Sequence, residues 1–269
     1  MPDPLYVALA AADQAESILR RHFVDLGQLR IENKTRDTQD QGLVTDADLE
    51  SEQAIVQSIR SAFPEHQILA EEEHASDAGA QAEHLWIIDP LDGTTNFIRG
   101  IPHYAVSIAC LHRGKLEHAV IVDPVRREEF TASRGRGAQL NGRRMRVSKL
   151  ASLAGALLGT GIPFKDHHDD RLGPYSKSIE VLAGQCAGIR RAGAASLDLA
   201  YVAAGRLDAF WEIGLSPWDI AAGALLVKEA GGLVADVDAS ENYLASGNIV
   251  CGNPKCFKAV LQVTRPLLS

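Results

Sequence analysis

Long apolar runs are missing from this sequence. No stretch approaches the roughly 20 consecutive apolar residues that a bilayer-spanning helix needs, although 46% of the 269 residues are hydrophobic, enough for a sizeable core. The opening MPDPLYVALAAADQAESILRRHF carries Asp3 where a secretory leader carries positive charge, and its apolar run breaks at Asp13. The expectation is a cytoplasmic protein without a membrane anchor. Cysteine is scarce: Cys110, Cys186, Cys251 and Cys256 form no Cys-x-x-Cys pair, which argues against a zinc ribbon or a disulfide framework and for reduced, mostly buried thiols. An excess of positive charge is also lacking. The formal net charge is −8, so nucleic acid would have to be held by a local basic patch. No Gly-x-Gly-x-x-Gly follows a strand, no Walker loop exists, and Ser196 has no Gly-x-Ser-x-Gly context, which argues against dinucleotide binding, P-loop chemistry and a serine hydrolase. Internal repeats and low-complexity segments are absent as well.

What is there reads as two halves. Leu5, Leu9, Ala12, Ile18, Leu19 and Phe23 recur at helical spacing over 5–24. Thr45, with Asp48 three residues on, opens a second helix with an apolar face through Leu49, Ile55, Ile59 and Phe63, stopped by Pro64. Strand-like HQILA and HLWIIDP follow, then a hairpin in which HRGK joins AVSIACL to LEHAVIV. The first half, 1–150, thus reads as helices followed by an antiparallel sheet. From 151 to 269 strands and helices alternate: ALLGTG, a helix near 171–183, another over 196–204, LDAFWEI, a helix at PWDIAAGALLVKEA with Pro217 in its first turn, LVADV, NIVCG and a last helix from Pro254. The expectation is an α/β protein of two domains, α+β before residue 150 and α/β after it.

Three carboxylate clusters carry the chemistry. ILAEEE ends an apolar strand in Glu71, Glu72 and Glu73; WIIDPLDGTTNF places Asp89 and Asp92 around a proline, with Thr94, Thr95 and Asn96 opening a short helix; WEIGLSPWD puts Glu212 at a strand end and Asp219 in the first turn of a helix. Taken singly, each has a plainer reading: a solvated acidic loop, an Asp-Gly turn, a carboxylate facing a helix dipole. Held together they would repel unless cations neutralised them. Hard oxygen donors with no competing Cys/His set suit Mg²⁺, and two such ions can clamp the oxygens of an in-line phosphoryl displacement by water. The amides of Gly93 and Thr94 are placed to hold an anion.

Asp89-Pro90-Leu91-Asp92-Gly93-Thr94-Thr95-Asn96 resembles the first signature of the inositol monophosphatase family, and Trp218-Asp219-Ile220-Ala221-Ala222-Gly223, followed by Glu229-Ala230-Gly231-Gly232, resembles the second. The likeness runs nearly end to end and is strongest to the bacterial SuhB-type branch. It implies a layered αβαβα sandwich, a homodimer, inhibition by lithium, and Mg²⁺-dependent hydrolysis of inositol monophosphate. By the resemblance, Glu71, Asp89, the Leu91 carbonyl, Asp92 and Asp219 bind Mg²⁺; Glu71 and Thr94 orient the attacking water; Gly93 and Thr94 hold the phosphate, beside Thr95. Arg190, Gly193, Ala195 and Glu212 line the sugar side. Lys34 is followed by a longer loop than in many relatives, so the resemblance gives it no role.

Sister specificities remain open: histidinol phosphate, fructose 1,6-bisphosphate or a 3′-phosphoadenosine nucleotide. The SuhB-type branch is also associated with transcription antitermination complexes of RNA polymerase, which admits a macromolecular partner beside the small phosphate ester. His167-His168-Asp169-Asp170 reads as a solvated loop, since adjacent histidines rarely face one ion. The cations Arg134, Arg136, Arg143, Arg144, Arg146 and Lys149 surround an Asn141-Gly142 turn and read as a solvated hairpin, or more sharply as a patch for RNA or an acidic partner.

Overall fold

The computed structural model of the chain describes residues 2–33, 43–72, 82–162 and 170–269. Lys34, Glu73 and the run His167-His168-Asp169 lie outside the described residues. Asp3 caps α1 (Pro4–Val24) by accepting the Leu5 amide at 2.9 Å. A two-stranded ribbon, β1 (Ile31–Asn33) and β2 (Leu43–Thr45), leads into α2 (Asp46–Ala62), whose first turn is closed by Thr45 and Asp48 as a capping box. A seven-stranded sheet follows, its strands side by side in chain order: β3 (Gln67–Ala70), β4 (His84–Asp92), β5 (Ala105–His112), β6 (Lys115–Asp123), β7 (Glu128–Ser133), β8 (Gly137–Leu140) and β9 (Arg143–Arg144). The short helix α3 (Thr94–Ile98) sits between β4 and β5.

The rest of the chain supplies β10 (Leu157–Thr160), α4 (Leu172–Ala183), β11 (Gly188–Arg190), α5 (Ala195–Ala203), β12 (Ala209–Glu212), α6 (Pro217–Glu229), β13 (Leu233–Ala235), α7 (Tyr243–Ser246), β14 (Ile249–Gly252) and α8 (Pro254–Leu268). Its five strands form a second sheet in the order β11-β10-β12-β14-β13, parallel among the first three and antiparallel at β14. Helices α1 and α2 cover one face of the larger sheet. Helices α5 and α6 fill the space between the sheets, and α4 and α8 cover the outer face of the smaller one. The layers run αβαβα, as the resemblance implies.

Three local expectations are corrected. The larger sheet is mixed, because β3 pairs parallel to β4, with Ala70 opposite Ile88. Only that direction brings the C-terminal ends of both strands, and therefore Glu71 and Asp89, to one edge. Leu49 is not on the packed face of α2; it is 51% exposed, while Asp48, Ser51 and Glu52 are buried. That face points at polar groups at the end of the sheet, so its period does not read as apolar. On α1 the buried stripe is Ala8, Ala11, Ala12, Ala15 and Leu19, with Leu5, Leu9 and Ile18 only half-buried. Small side chains let α1 approach α2 and the sheet closely.

The hairpin at β5–β6 turns through Arg113 and Gly114, both at positive φ (49° and 73°), and β8–β9 turns through Asn141 and Gly142 in the same way (49° and 72°). Two successive left-handed residues match the twist of the flanking strands.

Candidate active site

Glu71 directly follows β3, and its amide donates to the Ile88 carbonyl at 3.2 Å. Its carboxyl lies within hydrogen-bonding reach of Asp89. Asp89 and Asp92 are three apart on β4, which in a regular strand would send them to opposite faces. The register prevents that: Asp89 faces Ser107 and Asp92 faces Ala105, so one extra residue bulges out at Pro90-Leu91. Proline there removes a ladder donor, and the bulge turns both carboxylates to the same side. Leu91 donates its amide to Asp89 Oδ1 at 3.0 Å, and its carbonyl accepts from Thr94 Oγ1 at 3.1 Å. Gly93 then caps α3 at φ 94°; a Cβ there would meet the His103 carbonyl at 3.1 Å and the Gly193 carbonyl at 3.2 Å. Thr95 is exposed on the first turn of α3.

The second half of the chain closes the site. Asp219 is in the first turn of α6, where its Oδ2 accepts the Ser216 amide at 2.6 Å. Ser107, opposite Asp89 in the sheet, donates its hydroxyl to the Trp218 carbonyl at 3.3 Å and so pins the start of α6 beside β4. Asp89, Asp92 and Asp219 each offer an oxygen within 4.8 Å of the others. Asp92 is also seated on the N-terminus of α5: its carboxylate accepts the Ser196 amide at 2.8 Å, the Ser196 hydroxyl, and the Ala195 amide. The positive end of that helix is thus occupied by a side chain of the protein itself. Ser196 is buried and spent on this contact.

A cleft beside the carboxylates is lined by Asp92, Asp219, Asp198, Glu212, Gly161 and Arg191, with the 193–195 turn as its floor. Glu212 leans over Gly161, where any Cβ would fall within 1.7 Å of its Oε1. Asn96 holds the 192–193 segment in place by donating Nδ2 to the Ala192 carbonyl at 2.9 Å. Arg190 does not join this group. It is exposed, its guanidinium donates to the Ile189 carbonyl, and Arg191 is the cation on the cleft wall. The reading of Arg190 is corrected accordingly: Arg190 is the last residue of β11, and the chain turns into the site only after it.

Two further groups went unread in the sequence. Asp48, the capping-box residue of α2, is fully buried and accepts from Thr94 Oγ1 at 3.1 Å. Asp198, one turn into α5, is buried on the cleft wall. Each has an ordinary local explanation, as a capping residue or an acid near a helix start, and only the neighbouring chain makes it part of a site.

The electrostatics are those of crowded anions. Burial raises Asp89 well above its ordinary value, and Glu71, Asp92 and Asp219 raise it further. Asp92 is pushed up to about 6 by burial, against the lowering hydrogen bonds from Ser196. Asp48 also rises to about 6 through burial, offset in part by Thr45. Glu212 is raised by burial and by Asp219 and Asp198, with Arg191 acting the other way. The donors are hard oxygens, buried or half-buried and mutually repelling, a set that could hold a metal cation.

The model of the inositol monophosphatase family matches residues 1–266. The Nus factor SuhB of Pseudomonas aeruginosa is 58% identical over 269 residues, covering 100% of this chain and 98% of that protein. Among solved structures, the extragenic suppressor protein suhB of Bartonella henselae is 39% identical at a TM-score of 0.88, covering 97% of both chains. The inositol monophosphatase of Anabaena (Nostoc) sp. PCC 7120 is 36% identical at a TM-score of 0.84, covering 98% of this chain and 95% of that one.

Proposed function

The chain belongs to the inositol monophosphatase family, and we propose that it is a Mg²⁺-dependent phosphomonoesterase that releases phosphate from inositol monophosphate. The convergence of Asp89, Asp92 and Asp219 beside a cleft walled by Glu212 and Arg191 carries this reading. Glu71, Asp89, the Leu91 carbonyl, Asp92 and Asp219 would hold the cations. When bound, they supply the positive charge that polarises the phosphate ester and the attacking water. Thr94 Oγ1 and Glu71 position that water. The Thr94 hydroxyl passes a proton toward Asp48 Oδ1, whose raised pKa suits it to accept one near neutral pH. The Gly93 and Thr94 amides and the Thr95 hydroxyl receive the phosphate. Gly193 and Ala195 leave room for the polyol ring, Glu212 accepts from its hydroxyls, and Arg191 takes the place that the sequence suggested for Arg190.

The test is phosphate release from inositol 1-phosphate, with histidinol phosphate, fructose 1,6-bisphosphate and 3′-phosphoadenosine 5′-phosphate as alternatives. Turnover should vanish in chelator, return with Mg²⁺, fall with Li⁺, and not be supported by Ca²⁺, whose ligands sit at about 2.3–2.6 Å rather than about 2.1 Å. Full activity in excess chelator would refute the mechanism. Glu212→Gln should raise KM for the inositol ester and spare small aryl phosphates; loss of turnover on every ester would move Glu212 into the metal site. The reading includes a cytoplasmic homodimer and a division of the chain at 150/151, between β9 and β10. Light scattering and separate expression of the two halves test the last two.

A second role is suggested by the name of the Pseudomonas relative, a Nus factor. Arg143, Arg144, Arg146 and Arg206 line one groove of the β8–β9 hairpin and support an acidic or RNA partner within a transcription complex. Pull-down of RNA polymerase from lysate by Asp89→Asn, compared with Arg143→Ala/Arg144→Ala, separates this role from turnover. Loss of capture in the arginine variant alone supports it, and equal capture by both variants removes the groove from it.

A further inference from the structure

At the end of the larger sheet remote from the carboxylates, three adjacent strands bring a histidine to one level. His66 immediately precedes β3, His84 begins β4 and His112 ends β5. His84 and His112 are direct cross-strand partners, and the pairing of Gln67 with Leu85 sets His66 beside His84. The rings lie in a row, His66 to His84 at 4.2 Å between centroids and His84 to His112 at 4.6 Å. Glu83 completes the group, its Oε1 3.7 Å from His112 Nε2. His84 and Asp89 are five residues apart along β4, about 17 Å at the rise of a strand, so this cluster is separate from the phosphatase site.

We propose that His84, His112 and Glu83 form a second metal site, selective for a borderline divalent transition ion of the Zn²⁺ class. One ligand atom from each lies within 4.8 Å of the others. Two imidazoles and a carboxylate suit Zn²⁺ over Mg²⁺, and three protein ligands leave a fourth position for water. Tetrahedral bonds of about 2.0–2.1 Å place ligand nitrogens about 3.3 Å apart, so the side chains must turn toward one another to share an ion. The stack must open to do this, because imidazole lone pairs lie in the ring plane and the two rings are only 12° from parallel. Both histidines are half-buried, at a sheet end where solvent leaves room for that rotation.

His66 supports this site without ligating. Trp86 Nε1 can only donate, and it donates to His66 Nδ1 at 3.0 Å. The neutral ring therefore carries its proton on Nε2, and it stacks between Phe63 and His84. Arg113 is the competitor: its guanidinium bonds Glu83 Oε1 at 2.7 and 3.2 Å. Both partners of that pair are largely exposed, at 74% and 61%, so the ion pair opposes a metal only weakly.

The experiment titrates ZnCl₂ into the reduced full-length protein by calorimetry, with excess Mg²⁺ holding the carboxylate cluster. The expected result is one equivalent bound by wild type and by Cys186→Ser, and affinity reduced at least about tenfold in His84→Ala and in His112→Gln. Wild type should melt higher with Zn²⁺ and the two histidine variants should not. His66→Ala should keep most of the affinity. Phosphate release with Mg²⁺ should be unchanged in all three histidine variants, which keeps this test distinct from that of the phosphatase reading. Unaltered Zn²⁺ affinity in both His84→Ala and His112→Gln, or no binding by wild type, overturns the proposal. His112→Gln changes only the last residue of β5 and remains informative if His84→Ala does not fold.

Discussion

Asp89 is pressed on by Glu71, Asp92 and Asp219 at once. Replacing its carboxylate by an amide should therefore act in opposite directions on activity and on the metal-free fold. Asp89→Asn is expected to lose at least about 100-fold in kcat with Mg²⁺, since removing a ligand costs no less than disturbing a group behind it. In chelator it should melt above wild type, because one of several repelling charges is gone. Kinetics beside a thermal melt in chelator check both; a variant that melts lower in chelator would mean that the crowding is not what limits the free protein. The two neighbouring arginines give a sharper contrast. Arg191→Ala should raise KM for the inositol ester about tenfold, the loss of roughly one charge-assisted hydrogen bond, whereas Arg190→Ala should stay close to wild type. Equal effects of the two would remove Arg191 from the cleft.

At the scale of the elements, the site depends on where α6 begins. The segment before it is tied to the turn after α7: Leu215 donates its amide to the Gly247 carbonyl at 2.9 Å, and Gly247 sits at φ 74°. A Cβ at 247 would fall 2.1 Å from the Leu215 carbonyl oxygen. Gly247→Ala thus combines a left-handed penalty with a backbone collision that no rotamer relieves. The expected loss is at least ~2 kcal/mol, read in urea melts. Activity should fall too, since Leu215 leads through Ser216 to Asp219. Gly114→Ala is the control: nothing lies within 4 Å of its Cβ position, so only the penalty of φ 73° applies. If the two variants were equally stable, the 214–216 segment would be free to move, and α6 would not be positioned by it.

For the molecule as a whole, the buried acids make metal-free stability a function of pH. Asp48 and Asp92 rise from 3.8 to about 6, and Asp89 and Glu212 rise as well. Folded-state values above unfolded ones mean that these acids hold more protons in the native protein, so the stability they contribute is fully present below about pH 4 and is lost as pH rises through about 6. Two units on one acid correspond to at most roughly 3 kcal/mol. Cations compete for the same oxygens, so Mg²⁺ should restore what deprotonation removes. The melting temperature in Mg²⁺ minus that in chelator is therefore expected to be near zero at pH 4 and to grow through pH 6 to 7. A constant difference across that range would show that the cluster does not hold the ions.

The sequence by itself determined whatever depends on neighbours along the chain. The capping box at Thr45, the Arg113-Gly114 turn, Pro217 at a helix start and carboxylates at the ends of apolar strands are all local, and they put Glu71 at the end of β3, Asp89 and Asp92 together on β4, and Asp219 in the first turn of α6. The layered fold followed from motifs that span the chain. Only the tertiary structure decided which faces meet. Asp48 and Leu49 are adjacent on α2, yet one is fully buried beside Thr94 and the other is 51% exposed. Arg190 and Arg191 are both exposed residues, and the turn after β11 alone sends the second to the cleft. The parallel pairing of β3 could not be read either, since an apolar run is the same in both directions while the hydrogen-bond ladder is not. Periodicity tells a residue which side of its own element it occupies; what covers that side is set by elements distant in sequence, through the packing of the core.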